Sequence, residues 1–141
     1  MIRSFETPDM TQVLGIWLQA SIKAHYFVAK EFWESKVAEM RDIYLPASET
    51  YVHEREGVIQ GFISLYGDTL AAIFVAPGAQ GHGIGRQLMA TSKEVRQVLN
   101  LTVYKENRCS IAFYEKCGFE TVGEQVDAHT GHLELVMAFN S

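Results

Sequence analysis

The spacing of apolar positions along this 141-residue chain changes several times, and each change predicts an element. Near the start, "IRSF" predicts a short strand, followed by Thr7 as helix cap and Pro8 at the first helical position, where a missing N–H costs nothing. Val13, Leu14, Trp17 and Leu18 recur at helical spacing, so a helix is expected to about Ile22. After the loop "KAHYFVAK", a second helix is expected from Glu31 to about Leu45, closed by Pro46.

The pattern then turns strand-like. "TYVHERE" and "VIQGFISLYG", joined across Glu56 and Gly57, predict an antiparallel hairpin. Past the Gly67 and Asp68 turn, "TLAAIFVAP" is nearly all apolar, as expected for a central strand covered on both faces. From Gly83 to Val98, apolar Ile84, Leu88, Val95 and Leu99 oppose Arg86, Lys93, Arg96 and Gln97, which predicts an amphipathic helix. "LTVY" follows, so strand, helix and strand make one right-handed crossover between parallel strands. A last helix is expected from Asn107 to Cys117, stopping at Gly118, before "FETVGEQVD" and "HLELVMAF" form a terminal hairpin across "AHTG". No repeat or linker interrupts the pattern, which predicts a single α/β domain over residues 1–141.

Composition narrows the class of function. Hydrophobic residues at 48% and charged residues at 21% are those of an ordinary soluble globular protein. No apolar run is long enough to span a bilayer, and none behind Arg3 resembles a signal peptide, so no membrane partner and a cytoplasmic location are expected. Cys109 and Cys117 fall in one predicted helix, roughly 12 Å apart at about 1.5 Å per residue, beyond disulfide reach and consistent with reduced thiols. A net charge of -5 argues against broad nucleic-acid binding and suits a cationic substrate.

Chemistry concentrates in "QGHGIGRQLM", Gln80 to Met89, where three alternate glycines run into a helix. Glycine there weakens a helix start, so it is retained where bare backbone approaches a ligand or makes a tight turn. A P-loop would need a lysine that the stretch from Gly78 lacks, and a GxGxxG fingerprint from Gly81 would need glycine at Arg86, although Glu106 lies near the expected ribose-binding distance. Gln80, Gly83 and Gly85 instead match Q/RxxGxG/A, and "NRCSIAFYEKCGFE" downstream sets Asn107 and Tyr114 two helical turns apart before GF. In both motifs the chain resembles the GNAT superfamily of N-acetyltransferases.

That resemblance implies a GNAT-like mixed, mostly antiparallel twisted sheet of about six to seven strands flanked by about four helices, with one parallel splayed strand pair. It implies acetyl-CoA as acetyl donor, its pyrophosphate on the loop of Gln80, Gly81, His82, Gly83, Ile84, Gly85 and Arg86. The His82 side chain would point away and Arg86 would pair with the phosphates. Backbone groups of Ile73, Phe74 and Val75 would bond the pantetheine amides, Asn107 would touch the same arm, and Tyr114 would be the general acid near sulfur. Taken alone, Tyr114 reads as a core aromatic beside Phe113, and the loop from Gln80 to Arg86 turns the reading toward the site.

For the base, Asp68 before the central strand and His25 in the interhelical loop are candidates, with His53 on a neighbouring strand; each histidine also reads as an ordinary packing residue. Phe27, Trp33 and Tyr44, with Tyr26, suggest an aromatic substrate wall, which core packing explains as well. His129 and His132 lack a third ligand, so no metal is expected. The expected reaction is acetyl transfer to a primary amine, on a protein lysine, an amino terminus or a small molecule, by direct attack on the thioester. A non-catalytic acyl-CoA sensor and a toxin-type enzyme acting on aminoacyl-tRNA are the alternatives. The partners expected are an amine-bearing small molecule or a protein or peptide, with the chain a monomer or weak homodimer.

Overall fold

A computed structural model describes residues 1–140 of the chain. Strands β1 (Ile2–Ser4), β2 (Glu49–Arg55), β3 (Val58–Tyr66), β4 (Thr69–Val75), β5 (Val98–Tyr104), β6 (Glu120–Val126) and β7 (Leu133–Asn140) form one sheet in the order β1-β2-β3-β4-β5-β7-β6. Neighbours are antiparallel except β4 and β5. Helices α1 (Met10–Ala24), α2 (Lys30–Ser35), α3 (Ile84–Val95) and α4 (Arg108–Lys116) flank it. The mixed, mostly antiparallel sheet with one parallel pair is therefore present as expected.

Two apolar layers hold the sheet. Ile63, Leu65, Leu70, Leu88, Leu99, Leu101 and Met137 pack on the α3 and α4 side, and Val13, Trp17, Val52, Phe62 and Ala72 on the α1 side. Leu70 and Ala72 are two apart and should share a face, yet they join opposite layers. Between them the β3–β4 register skips Ala71, and this bulge switches the side-chain parity and bends β4.

Three sequence-based boundaries change. The first helix is entered through Glu6, not Thr7: Asp9 Oδ2 accepts the Glu6 N–H at 2.8 Å, and Thr7–Asp9 form a 3₁₀ turn. Arg3 clamps that turn with two bonds to Asp9 at 2.8 and 2.9 Å and one to Glu54 at 2.6 Å, holding the Asp9 carboxyl below its ordinary range. The second helix is not continuous from Glu31 to Leu45. After α2 come an α turn (Val37–Glu39), a π turn (Met40–Tyr44) and another α turn (Leu45–Ala47). Pro46 lacks an N–H and crowds the preceding turn, which widens, and the chain leaves only at Ser48. Finally, α3 ends at Val95, because Val98 and Leu99 already pair with Asn140 and Phe139 of β7. Leu99 thus belongs to the alternating buried face of β5, with Leu101 and Val103, and not to a helical stripe.

Candidate active site

Strands β4 and β5 pair at one position among the described residues, Thr69 opposite Asn100. There the Asn100 N–H donates to the Asp68 carbonyl at 2.9 Å and the Thr69 hydroxyl to Asn100 Oδ1 at 3.0 Å. Past the Ala71 bulge the strands part, leaving the β5-facing edge of β4 without a strand neighbour among the described residues. A cleft of about 2120 Å³ opens here, and Ile73, Phe74 and Val75 line it. Pockets for one small ligand span about 300–1,000 Å³. This one has room for two.

The glycine loop follows the end of β4 opposite to the Thr69–Asn100 pair. Gly81 and Gly83 take φ of +84° and +80°, the left-handed region, and a Cβ at either would project into open space. Gly83 is the N-cap of α3, and no side chain caps its amides, so the first turn of this 12-residue helix keeps donors free for an anion. Arg86, exposed on that turn, lines the cleft. Gly85 has another reason to be glycine: its Cβ would lie 3.3 Å from Phe113 Cζ, where α3 meets α4. The Ile84 side chain is 8% exposed and belongs to the core, leaving only its backbone for a ligand. His82 is exposed and outside the lining, and the Gln80 side chain folds back, its amide donating to the Val75 carbonyl at 3.2 Å. These open donors, together with the free β4 edge, fit a diphosphate on an extended arm.

The second motif builds the facing wall. Asn107 caps α4, its Oδ1 accepting the Ser110 N–H at 3.3 Å, and its Nδ2 lies 3.3 Å from His25 Nε2. At the other end, Gly118 (φ +94°) donates to the Glu115 carbonyl and Phe119 to the Tyr114 carbonyl, both at 3.0 Å, which is a Schellman close. Phe119 then packs on the Tyr114 ring at 5.8 Å between centroids. The GF pair thereby fixes the tyrosine. Tyr114 is both core and cleft lining, and burial pushes its hydroxyl pKa up, so it keeps its proton at neutral pH.

A family model described as "Acetyltransferase (GNAT) domain" matches residues 46–121, more than half the chain. The peptidyl-lysine N-acetyltransferase YiaC of Escherichia coli is 36% identical over 123 residues, 86% of this chain and 84% of that protein. The chain belongs to the GNAT acetyltransferase family. The peptidyl-lysine N-acetyltransferase YjaB of Escherichia coli is 27% identical over 124 residues, covering 86% and 83% of the two chains. The solution structure of its apo form superposes with a TM-score of 0.86 over 99% of this chain and 96% of that one.

Within this GNAT frame the candidate bases are separated. Asp68 is exposed in the β3–β4 turn at the closed end of the strand pair, outside the cleft lining and about 20 Å of extended strand from Phe74. It cannot reach an amine beside the open end. His53 is buried on β2, its Nε2 3.2 Å from Gln87 Oε1, also outside the lining. His25 does line the cleft, but burial lowers its pKa from 6.5 to about 4, against a weaker opposing effect of Ser21. Because Asn107 Oδ1 is already an acceptor, Nδ2 must donate, so His25 Nε2 accepts and its proton sits on Nδ1. Such a ring has no free lone pair for an incoming ammonium proton.

Trp33 and Tyr44 line the same GNAT cleft, as does Tyr26, whereas Phe27 stands outside the lining, edge-on to His25, Tyr104 and His132. Tyr104, Glu106, Asp127 and Glu134 also line the cleft, and the Tyr104 hydroxyl donates to Asp127. Sequence reasoning missed this acidic group, because its members come from β5, the loop after it, and the terminal hairpin. The one available signal was the net negative charge. His129 and His132 lie near the terminal turn, with His132 Nδ1 3.6 Å from Glu106 Oε1; no group of three or more metal-ligating side chains occurs among the described residues. No helix among them is long and apolar enough to cross a membrane. Cys109 and Cys117 are free thiols.

Proposed function

We propose that this protein is an acetyl-CoA-dependent N-acetyltransferase whose acceptor is a primary amine on a protein or peptide, a lysine side chain in the first instance, and that it works in the cytoplasm. The observation that carries the reading is the parting of β4 from β5 directly beneath an uncapped glycine loop, with a protonated tyrosine on the opposite wall. When bound, acetyl-CoA supplies the thioester that an amine attacks, releasing a thiol.

The chain's own residues divide the work. Backbone donors from Gly81 to Arg86 and the Arg86 guanidinium hold the diphosphate, and the free edge at Ile73, Phe74 and Val75 bonds the pantetheine amides as an added strand would. A main-chain N–H near Phe74 or Val75 faces the developing oxyanion. Tyr114 gives its hydroxyl proton to the departing sulfur, and the second proton lost from the attacking nitrogen as the amide forms restores it by way of water. Glu106, Asp127 and Glu134 draw a cationic amine into the cleft, and the ammonium proton leaves to water at the open mouth.

The names of YiaC and YjaB support a peptidyl-lysine acceptor. A sensor without turnover would have no use for a tyrosine kept protonated in the cleft, and a net charge of -5 opposes an RNA substrate. The test is calorimetry with coenzyme A, followed by thiol release from acetyl-CoA in the presence of a lysine peptide. Tyr114→Phe is expected to lower kcat on the order of 10²-fold while coenzyme A affinity stays within about twofold. Unchanged kcat with chemistry rate-limiting would remove the acid role, and no coenzyme A uptake by folded protein would remove the whole reading.

A further inference from the structure

Large apolar side chains stand in the open on one part of the cleft wall. Ile43, Tyr44 and Tyr66 are 57%, 56% and 63% exposed, and all three line the cleft. Ile43 and Tyr44 close the π turn between the buried anchors Met40 and Leu45, so a fixed backbone carries them outward. The Ser48 hydroxyl donates to the Tyr44 carbonyl at 2.7 Å, and Ser48 immediately precedes Glu49, which pairs with Leu65. That antiparallel register brings Ser48 beside Tyr66, so the two tyrosines belong to one shelf.

The shelf and the acidic group share one side of the sheet. Tyr66 alternates with Leu65 of the α3-side core, and Thr102 and Tyr104 alternate with buried Leu101 and Val103, so all three stand on the α1 side. Glu134 is opposite Tyr104 and joins them there. Along the sheet the two groups are separated: Tyr66 pairs with Thr69, which is opposite Asn100, and from Asn100 to Tyr104 is about 13 Å of strand. Ala71 and Thr102, both exposed and both in the lining, lie at the levels between. This side of the cleft is therefore an open trough with an apolar shelf at one end and Glu106, Asp127 and Glu134 at the other. Exposed apolar groups of this size mark a surface that a partner covers, and the carboxylates decide which partner. Nucleic acid is repelled, and a small amine does not reach both ends. A protein segment carrying a lysine does, since about 13 Å is about four extended residues, part of which the lysine side chain itself spans.

Resting on the acetyltransferase reading above, we propose that this trough receives an extended, lysine-bearing segment of an acceptor protein, with an apolar side chain about two to four residues from the lysine seated on Ile43, Tyr44 and Tyr66. The carboxylates receive the ammonium end and the shelf receives the apolar residue. Tyr44 and Tyr66 are then specificity-determining residues, which act in binding the acceptor and not on the reacting atoms.

The test measures thiol release from saturating acetyl-CoA with three peptides: acetyl-Gly-Gly-Gly-Lys-Gly-Gly-Gly-amide, and the same peptide with Phe at its first or at its last position. One of the two Phe peptides is expected to show a KM about five- to tenfold below that of the glycine peptide at similar kcat. In the double variant Tyr44→Ser, Tyr66→Ser, whose fold is checked by circular dichroism and thermal unfolding, that KM ratio is expected to shrink to within about twofold. Equal KM for all three peptides with wild type, or an unchanged ratio in the folded variant, overturns the trough. The wild-type comparison decides this even if the double variant does not fold, and Tyr66→Ser alone is the second variant. Equal KM in a wild type that sediments as a dimer, with the variant a monomer, would overturn it too and give the shelf to a second copy of the chain. Turnover with equal KM removes the trough alone, whereas no turnover with any lysine peptide removes the acceptor reading and the trough with it.

Discussion

His25 shows how far a residue's surroundings can reverse its apparent chemistry. Its position in the interhelical loop suggested a residue near the cleft, which it does line, and its intrinsic pKa suggested a base. Burial among Trp33, Tyr104 and Phe27 lowers that pKa to about 4, so the folded ring is neutral while the unfolded one titrates near 6.5. Between those values the unfolded chain binds the extra proton, so this contribution to stability is complete above pH 6.5 and is lost as pH falls toward 4. Urea unfolding at pH 7.5 and pH 5 is expected to show wild type losing about 2 kcal/mol more than His25→Phe. Equal losses would mean that the ring is not buried neutral. Tyr114, by contrast, was legible in place, because its spacing from Asn107 and Gly118 is local and survives folding.

At the scale of elements, the glycine loop and α3 were readable as a unit, but the glycines do different things. Gly83 holds a left-handed N-cap open to the cleft, whereas Gly85 lets α3 approach Phe113. Gly83→Val places a branched side chain in that conformation at a cost of about 1–3 kcal/mol and over the amide donors. It is expected to lower coenzyme A affinity more than about tenfold in protein that still folds. Gly78→Ala, at an exposed glycine with open space around it, is the matched control with unchanged affinity. Retained affinity in Gly83→Val by calorimetry would locate the anion elsewhere. The bulge at Ala71 was not legible: an alanine pair inside an apolar run carries no sign of which residue leaves the ladder. Nor was the true start of β5, since Leu99 satisfies a helical stripe and a strand face equally until β7 pairs with it.

The molecule as a whole is a sheet of two parts, β1 to β4 and β5-β7-β6, whose strands pair at one register position among the described residues, Thr69 opposite Asn100, and which are packed through a shared α3 and α4 core. A ligand wedged between β4 and β5 bridges both parts and favours the folded state by mass action. Coenzyme A at about 100 times its Kd is expected to add about 2.7 kcal/mol and raise Tm by about 5–10 °C. A scan with and without it checks this, and an unchanged Tm would show that the ligand is not bound by the native fold.

Local pattern was enough to specify the order of strands and helices, the antiparallel hairpins, the glycine loop and the asparagine-tyrosine-GF close, because each depends on residues a few positions apart. Folding was needed to choose among chemically suitable but distant groups. It set Asp68 at the closed end of the strand pair, buried His53 away from the cleft, and gathered Ser21, His25, Trp33, Asp127 and Glu134 from three regions of the chain. Proton location and solvent exposure follow from that gathering, and neither has a local sequence code.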